Sequence, residues 1–331
     1  MQPDQPLLTI AIPTYNREKY LKILLSILEP QVLNEPRLEL IVSDNASIDG
    51  TESLVQAYSG VITGFRYIKN KTNLGADGNI LQCFEQARGK YVWILGDDDV
   101  VAPDAVRRIM ACLESGEYDL VYVSSFSFEG DHAFEEQKEY RKPSEIRDVL
   151  VFVRRINVMF TFISGNIVNK TRVLEVQHSD LTSLVGTSLV QLGWMYAALN
   201  EYRCSLYIHE KLVGGRSSNT GGYRLFQAFG PNIKAITERR LHEKALQRLI
   251  LNGTLMRFWP AMLINYRLSS SAFEREAHPR EMLGPTFRSN FRYWIFVYPI
   301  LNSPSLFAKT WLLFTRILNK LDKSLGYPLM R

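Results

Sequence analysis

Residues 91–100 read YVWILGDDDV, and the fold turns on how this stretch is read. Tyr91 to Leu95 is an unbroken apolar run of aromatic, β-branched and aliphatic side chains bounded by Gly96, which is the pattern of a buried strand. Three successive carboxylates follow, Asp97, Asp98 and Asp99. At the carboxyl end of a strand in a parallel sheet they would lie where such sheets bind ligands. Three adjacent acids repel one another unless something positive joins them, and a hard divalent cation completed by phosphate oxygens is one such partner. The competing reading is an acidic turn, since Asp and Gly favour turns on conformational grounds alone.

Outward from this stretch the same alternation repeats. Leu7 to Ile12 is a strand stopped by Pro13 before the polar turn Thr14, Tyr15, Asn16, and Arg17 to Leu28 carries apolar residues at helical spacing. Leu38 to Val42 is a second strand that runs into Ser43, Asp44 and Asn45, with a helix opening near Thr51. Phe65 to Lys69 is a third, followed by a turn at Asn70 to Asn73 and a helix from Gly75 to a stop at Gly89. Beyond the acids, Pro103 starts a helix with Val106, Ile109, Met110 and Leu113 on one face, and Asp119 to Val123 is a fifth strand. This order predicts an α/β fold, a mostly parallel sheet flanked by helices on both faces. The polar cluster after each strand then falls on one edge of that sheet.

The remainder is less regular. Glu129 to Ser144 reads as an exposed excursion, Glu145 to Ile156 as helical, Phe160 to Val168 as extended, Leu189 to Leu199 as a helix, and Cys204 to Ile208 as a strand. Gly214 to Tyr223 (GGRSSNTGGY) reads as a loop, with a helical region from Leu225 to about Leu268. The expected organisation is an α/β domain over residues 1–220 and a helical C-terminal region over 221–331.

With 331 residues, 46% hydrophobic and 22% charged, the chain can bury a full core. Its 3 cysteines are scattered, with neither zinc spacing nor a disulfide framework, so a reducing, cytoplasmic setting is expected. Met1 to Pro6 does not read as a signal sequence, and no run of ~18 apolar residues occurs. The net charge of +5 is concentrated near the C-terminus. There Phe287 to Leu325 interleaves aromatic and aliphatic residues with Arg288, Arg292, Lys309, Arg316, Lys320 and Lys323. Helices of this kind lie in a membrane interface against anionic lipid, here the inner leaflet; a helical cap on the α/β domain is the alternative. No nucleic-acid reader motif accompanies the basic residues, so nucleic acid is not an expected partner.

The series IPTYNR, IVSDNASIDGT, NLGADGNI and WILGDDDVV, in this order and at these spacings, resembles the nucleotide-sugar domain of family 2 glycosyltransferases, which has the Rossmann-like GT-A fold. The resemblance implies that Tyr15 and Asp44 hold the base of a nucleotide-diphosphate sugar, with Pro13 and Asn16 beside them. It also implies that Asn73, Gly75 and Asn79 shape the pyrophosphate side, and that the acids hold ribose and metal. The family's Asp-x-Asp can be laid on Asp97 and Asp99, or shifted so that Gly96 takes the first place and Asp98 the third. The expectation is Asp98 and Asp99 on Mg²⁺ or Mn²⁺ and Asp97 nearer the ribose. A cation there stabilises charge shed onto the β-phosphate, which counts Asp99 among the catalytic residues.

FISGNIVNK resembles the family's acceptor-side strand, where Gly165 would let a sugar approach the backbone and Asn166 would bond a hydroxyl. Inverting members place an Asp base further on; Leu184 to Ser188 has no carboxylate, and the nearest acid is Asp180. LVGTSLVQLGW and GGRSSNTGGYRLF resemble the O-antigen branch that adds deoxysugars such as abequose, where retaining transfer would remove the need for a base. Thr187, Arg216, Asn219 and Tyr223 are then acceptor-side or loop candidates. The implied activity is sugar transfer to a saccharide acceptor, a polyprenyl-linked O-antigen or other surface-polysaccharide intermediate, by a protein peripheral on the cytoplasmic face of the bacterial inner membrane. A nucleotidyltransferase is a rival, although IPTYNREKY lacks the glycines of its usual phosphate loop; a noncatalytic saccharide-binding or assembly protein of the same fold is another.

Overall fold

The apolar runs that end in polar turns are strands β1 (Leu8–Thr14), β2 (Leu38–Asp44), β3 (Phe65–Lys69) and β4 (Tyr91–Ile94). They pair in parallel in the order β3-β2-β1-β4. Between them run α1 (Glu18–Val32), α2 (Thr51–Gln56) and α3 (Gly75–Gln86). α1 buries Leu21, Leu24, Leu25, Leu28 and Val32, the stripe that a 3.6-residue period puts on one face. The computed structural model describes residues 5–33, 35–130, 141–176, 180–217, 224–268 and 279–330.

The next elements are β5 (Val100–Val101), α4 (Ala105–Ser115), β6 (Leu120–Phe128), β7 (Ser144–Ile146), α5 (Val149–Ile156), β8 (Asn166–Asn169), α6 (Lys170–Val176), α7 (Leu192–Asn200) and β9 (Ser205–Arg216). β8 lies antiparallel between β4 and β6, β9 runs parallel to β6, and β5 and β7 pair antiparallel with β9. The sheet is therefore parallel where strands and helices alternate and mixed beyond.

Three local expectations are corrected. Ser144–Ile146 is a strand, and the helix expected from Glu145 begins only at Val149. Phe160 to Val168 is not extended throughout: 3₁₀ turns occupy Asn157–Thr161 and Ile163–Gly165 before β8 begins. The bend is held by Trp93, whose indole N–H donates to the Ser164 carbonyl at 2.8 Å, satisfying a ring that is wholly buried. Finally, β9 continues through Gly214 and Gly215 to Arg216, taking in residues expected in a loop. Glycine is needed at 214, where a Cβ would stand 2.7 Å from the Phe126 ring and 2.8 Å from Val100.

The chain divides into two units. The first comprises Met1–Val149, Phe160–Gly186 and Val190–Asn219; the second comprises Leu150–Met159, Thr187–Leu189 and Thr220–Arg331. Among the described residues beyond 220 the second is helical: α8 (Leu225–Gln227), α9 (Ile233–Arg240), α10 (Lys244–Gly253), α11 (Trp259–Leu268), α12 (Pro279–Phe287), α13 (Tyr298–Asn302) and α14 (Ser305–Ser324). Phe226, Leu255, Trp259, Leu263 and Phe296 are buried within it. No helix among the described residues is long and apolar enough to cross a membrane.

Candidate active site

Because β1, β2 and β4 are parallel neighbours, the polar residues after each share one edge; Thr14 and Asp44 are register partners there. The Asp97 carboxylate is buried, and it accepts the Thr14 hydroxyl at 2.8 Å and Arg17 Nη1 at 2.9 Å. The same Arg17 nitrogen lies 3.7 Å from Asp98 Oδ1. Part of the positive charge these acids need thus comes from the first turn beyond β1. Burial pushes Asp97 up to about 6, Asp98 adding to the rise and Arg17 opposing it. Burial alone would lower the Arg17 pKa, but the charge and hydrogen bond of Asp97, with Asp98, raise it.

Asp99 is held differently. Ser164 donates its hydroxyl to Asp99 Oδ2 at 2.5 Å, and the Arg216 backbone N–H donates to Oδ1 at 3.2 Å. The Ser164 oxygen in turn accepts the Gly96 N–H at 2.8 Å, and the Asp99 N–H returns to the Gly96 carbonyl at 3.1 Å. Burial, followed by repulsion from Asp98, lifts Asp99 to about 7. A Cβ built on Gly96 would be 3.0 Å from Asp99 Oδ2 and 3.3 Å from Asp98 Oδ1, so both carboxylates lean over the same glycine.

That convergence tests the fit of a divalent cation. Asp97 is engaged by Thr14 and Arg17, and Asp99 by Ser164 and the Arg216 N–H, while Asp98 and Asp99 bring carboxylate oxygens, each with more than one lone pair, to one side of the turn. Two carboxylates make a partial shell of the kind Mg²⁺ or Mn²⁺ shares with water and phosphate oxygens, so the donor set fits. Among the described residues there is no group of three or more His, Cys, Asp or Glu that could hold an ion unaided.

Beside this cluster lies a second, built on β2. Asp44 is fully buried, accepting the Ser47 N–H at 2.8 Å and the Tyr67 hydroxyl at 2.6 Å. Burial first, and then Asp44, push the Tyr67 phenol well above its ordinary value. Asn16 takes a left-handed backbone (φ 52°), which Asn tolerates, and ties the β1 turn to the β2 turn: its N–H donates to Ser47 Oγ and its side-chain oxygen accepts the Ile48 N–H, each at 2.9 Å. Pro13 is the residue before Thr14 in β1, and Tyr15 stands exposed at the rim.

Asn45 organises the approach to α3. Its amide donates to Asn73 Oδ1 at 2.8 Å and to the Gly75 carbonyl at 3.1 Å, while its oxygen accepts the Leu74 N–H at 2.8 Å. Asn73 Oδ1 also accepts the Gly75 N–H at 2.8 Å, at a glycine with φ +74°. Asn79 is buried and pins α3 to β2, accepting the Ser43 hydroxyl at 2.7 Å and donating to the Ser43 carbonyl at 2.9 Å.

Of the acceptor-side candidates, Gly165, Asn166 and Arg216 adjoin the acidic turn, since Ser164 and the Arg216 N–H both bond Asp99. Gly165 and Asn166 are buried beneath Phe162: a Cβ on Gly165 would lie 2.9 Å from that ring, and the Asn166 amide donates to the Phe162 carbonyl at 2.7 Å. Arg216 joins the acids. Its Nε reaches the Asp98 carbonyl at 3.4 Å, and its guanidinium lies over Phe128 and Tyr20 at 4.7 and 5.1 Å from the ring centroids. Asp180 is exposed and caps the turn at Thr182–Leu184, accepting the Thr182 N–H at 2.8 Å and its hydroxyl at 2.6 Å. Thr187 belongs to the second unit, where its hydroxyl accepts the Leu189 N–H at 3.2 Å and its carbonyl the Asn232 amide at 2.9 Å. Asn219 and Tyr223 lie outside the described residues.

Arg17 and Ser164 are the site residues that sequence reading passes over. Arg17 reads as the start of a helix, although placing β1 beside β4 would have put it near the acids. Ser164 gave no local signal, being 68 positions from Gly96.

The family model for Glycosyl transferase family 2 matches residues 9–175. Abequosyltransferase RfbV of Salmonella typhimurium is 31% identical over 228 residues, covering 64% of this chain and 67% of that protein. The GalNAc(5)-diNAcBac-PP-undecaprenol beta-1,3-glucosyltransferase of Campylobacter jejuni is 26% identical over 228 residues, covering 68% and 72%. The structure of S. aureus TarS 1–349 in complex with UDP-GlcNAc is similar with a TM-score of 0.63 and 16% identity, covering 96% of this chain and 92% of that one, a likeness of fold.

Proposed function

The chain belongs to glycosyl transferase family 2, and from that premise we propose that it moves a sugar, a deoxysugar being one candidate, from a nucleotide-diphosphate donor to a polyprenyl-linked O-antigen or other surface-polysaccharide intermediate. The observation that carries this reading is the convergence of Asp98 and Asp99 over Gly96 at the carboxyl edge of the sheet. In it, Asp98 and Asp99 hold Mg²⁺ or Mn²⁺, which when bound offsets the negative charge that builds on the β-phosphate as the glycosidic bond breaks. Asp97, fixed by Thr14 and Arg17, faces the ribose. Tyr15 offers its ring to the base, and Asp44, held by Ser47 and Tyr67, is assigned to accept a base N–H. Pro13 and Asn16 shape the turn under the base, and Asn73, Gly75 and Asn79 that under the pyrophosphate. Gly165, Asn166, Thr187, Arg216, Asn219 and Tyr223 are assigned to the acceptor side and its loop. For inverting transfer Asp180 is the acid assigned as base; retaining transfer needs none.

A relative named for abequosyl transfer supports a deoxysugar donor, and another named for an undecaprenyl-diphosphate-linked saccharide supports the acceptor class. Such an acceptor sets the enzyme to work as a peripheral protein on the cytoplasmic face of the inner membrane. The test is a panel of nucleotide-diphosphate sugars offered with a polyprenyl-linked acceptor, with and without Mn²⁺. Cation-dependent release of nucleotide diphosphate and a glycosylated acceptor are expected from at least one donor. No turnover with any donor would favour a noncatalytic saccharide-binding protein.

A further inference from the structure

The faces of α14 are inverted. A helix on a protein surface ordinarily buries its apolar stripe and shows its polar one. Here Ala308, Thr315 and Asp322, spaced seven apart along one line, are buried, whereas Leu306, Leu313, Ile317 and Leu321 are between 51% and 80% exposed. Phe307 and Phe314 are also exposed, flanking that stripe. At about 100° per residue, Lys309, Arg316, Lys320 and Lys323 fall in a second row along the stripe's other flank. All four are exposed. The only acid in the helix, Asp322, is turned inward, where its carboxylate accepts the Leu329 N–H at 2.6 Å. The outward face of α14 therefore combines leucine-rich apolar surface with cations and no carboxylate.

We propose that this face of α14 docks on an anionic lipid bilayer, the helix lying in the plane of the interface with its leucine stripe at the acyl boundary and its basic row against the headgroups. Charge complementarity selects this occupant: headgroups of an anionic leaflet supply negative partners that the row does not have among the described residues. A second copy of the chain would bring to the same face more cations and no acid. Trp294 and Tyr298, in the segment just before α14, are 49% and 42% exposed, and both residue types favour the membrane–water boundary. The inference rests on the proposed lipid-linked acceptor and names the surface by which the enzyme reaches it.

Vesicle flotation of the full chain tests it, using phosphatidylcholine vesicles with and without phosphatidylglycerol. The expected result is preferential binding to the anionic vesicles, weakened by salt, and a loss of at least about tenfold in Leu313→Asp/Ile317→Asp. Replacing the four basic residues by Gln should abolish the preference for phosphatidylglycerol. All substituted positions are exposed, and an unchanged thermal midpoint verifies folding. Binding of nucleotide diphosphate, measured without vesicles, should be unaltered in every variant, so a failure of the donor reading is seen separately. Equal flotation of wild type and variants would overturn the proposal. So would wild type that ignores anionic vesicles, or a wild-type dimer that Leu313→Asp/Ile317→Asp converts to monomer without any vesicle binding.

Discussion

Ser164 Oγ stands 2.5 Å from Asp99 Oδ2 while accepting the Gly96 N–H, so one hydroxyl clamps both ends of the acidic turn. Removing it should cost the ionised form of Asp99 a charge-assisted hydrogen bond, about 1.5–3 kcal/mol. Ser164→Ala should therefore weaken Mn²⁺ binding by roughly ten- to a hundredfold, as read by titration calorimetry. The backbone bond to Trp93 survives the substitution. Unchanged Mn²⁺ affinity would show that the clamp does not act on the ion.

Arg17 opposes the burial that raises Asp97. Arg17→Gln should let the Asp97 pKa rise further, moving the acid limb of the kcat/KM profile to higher pH, and Arg17→Lys should restore part of that shift. A pH profile identical to wild type would remove Arg17 from the site.

Asp97 and Asp99 both have folded-state pKa values above the ordinary 3.8, at about 6 and about 7. A carboxyl group raised on folding binds more protons folded than unfolded, so its contribution is present below the unfolded value and lost as pH rises through the folded one. Metal-free protein should accordingly show a falling thermal midpoint as pH is raised from 5 to 8, and Mn²⁺ should restore more at pH 8 than at pH 5. A midpoint that rises over this range would contradict the burial of these acids.

Asn45 carries the turn that leads into α3. Asn45→Ala removes the hydrogen bonds that tie the Leu74 N–H and the Asn73 side chain to β2; both residues are exposed, so water takes the vacated places and each lost bond costs about 0.5–1.5 kcal/mol. The expectation is lower stability in urea and a raised donor KM with kcat little changed. Lower kcat at constant KM would argue against a binding role for this turn.

The parallel half of the sheet was legible because its information is local. An apolar run closed by Pro13 or Gly96 defines a strand whatever lies across from it, and Phe65–Lys69 forms as its pattern predicts. β5 and β7, of 2 and 3 residues, have no such pattern and exist through pairing with β9. Likewise Ser164 meets Gly96 only once β8 has inserted beside β4. The acids themselves stood out in the sequence, but their different partners, Arg17 for Asp97 and Ser164 for Asp99, depend on the order of strands. For α14 the composition indicated an amphipathic helix, while which side faces outward depends on packing.

The most direct measurement is sugar transfer by Asp99→Ala, with Asp98→Ala alongside, across a Mn²⁺ titration with a donor that the wild type turns over. Each variant should fold, bind Mn²⁺ poorly and lose at least about a hundredfold in cation-dependent transfer. Transfer at the wild-type rate with the same dependence on Mn²⁺ would contradict the assignment of the ion to these two carboxylates.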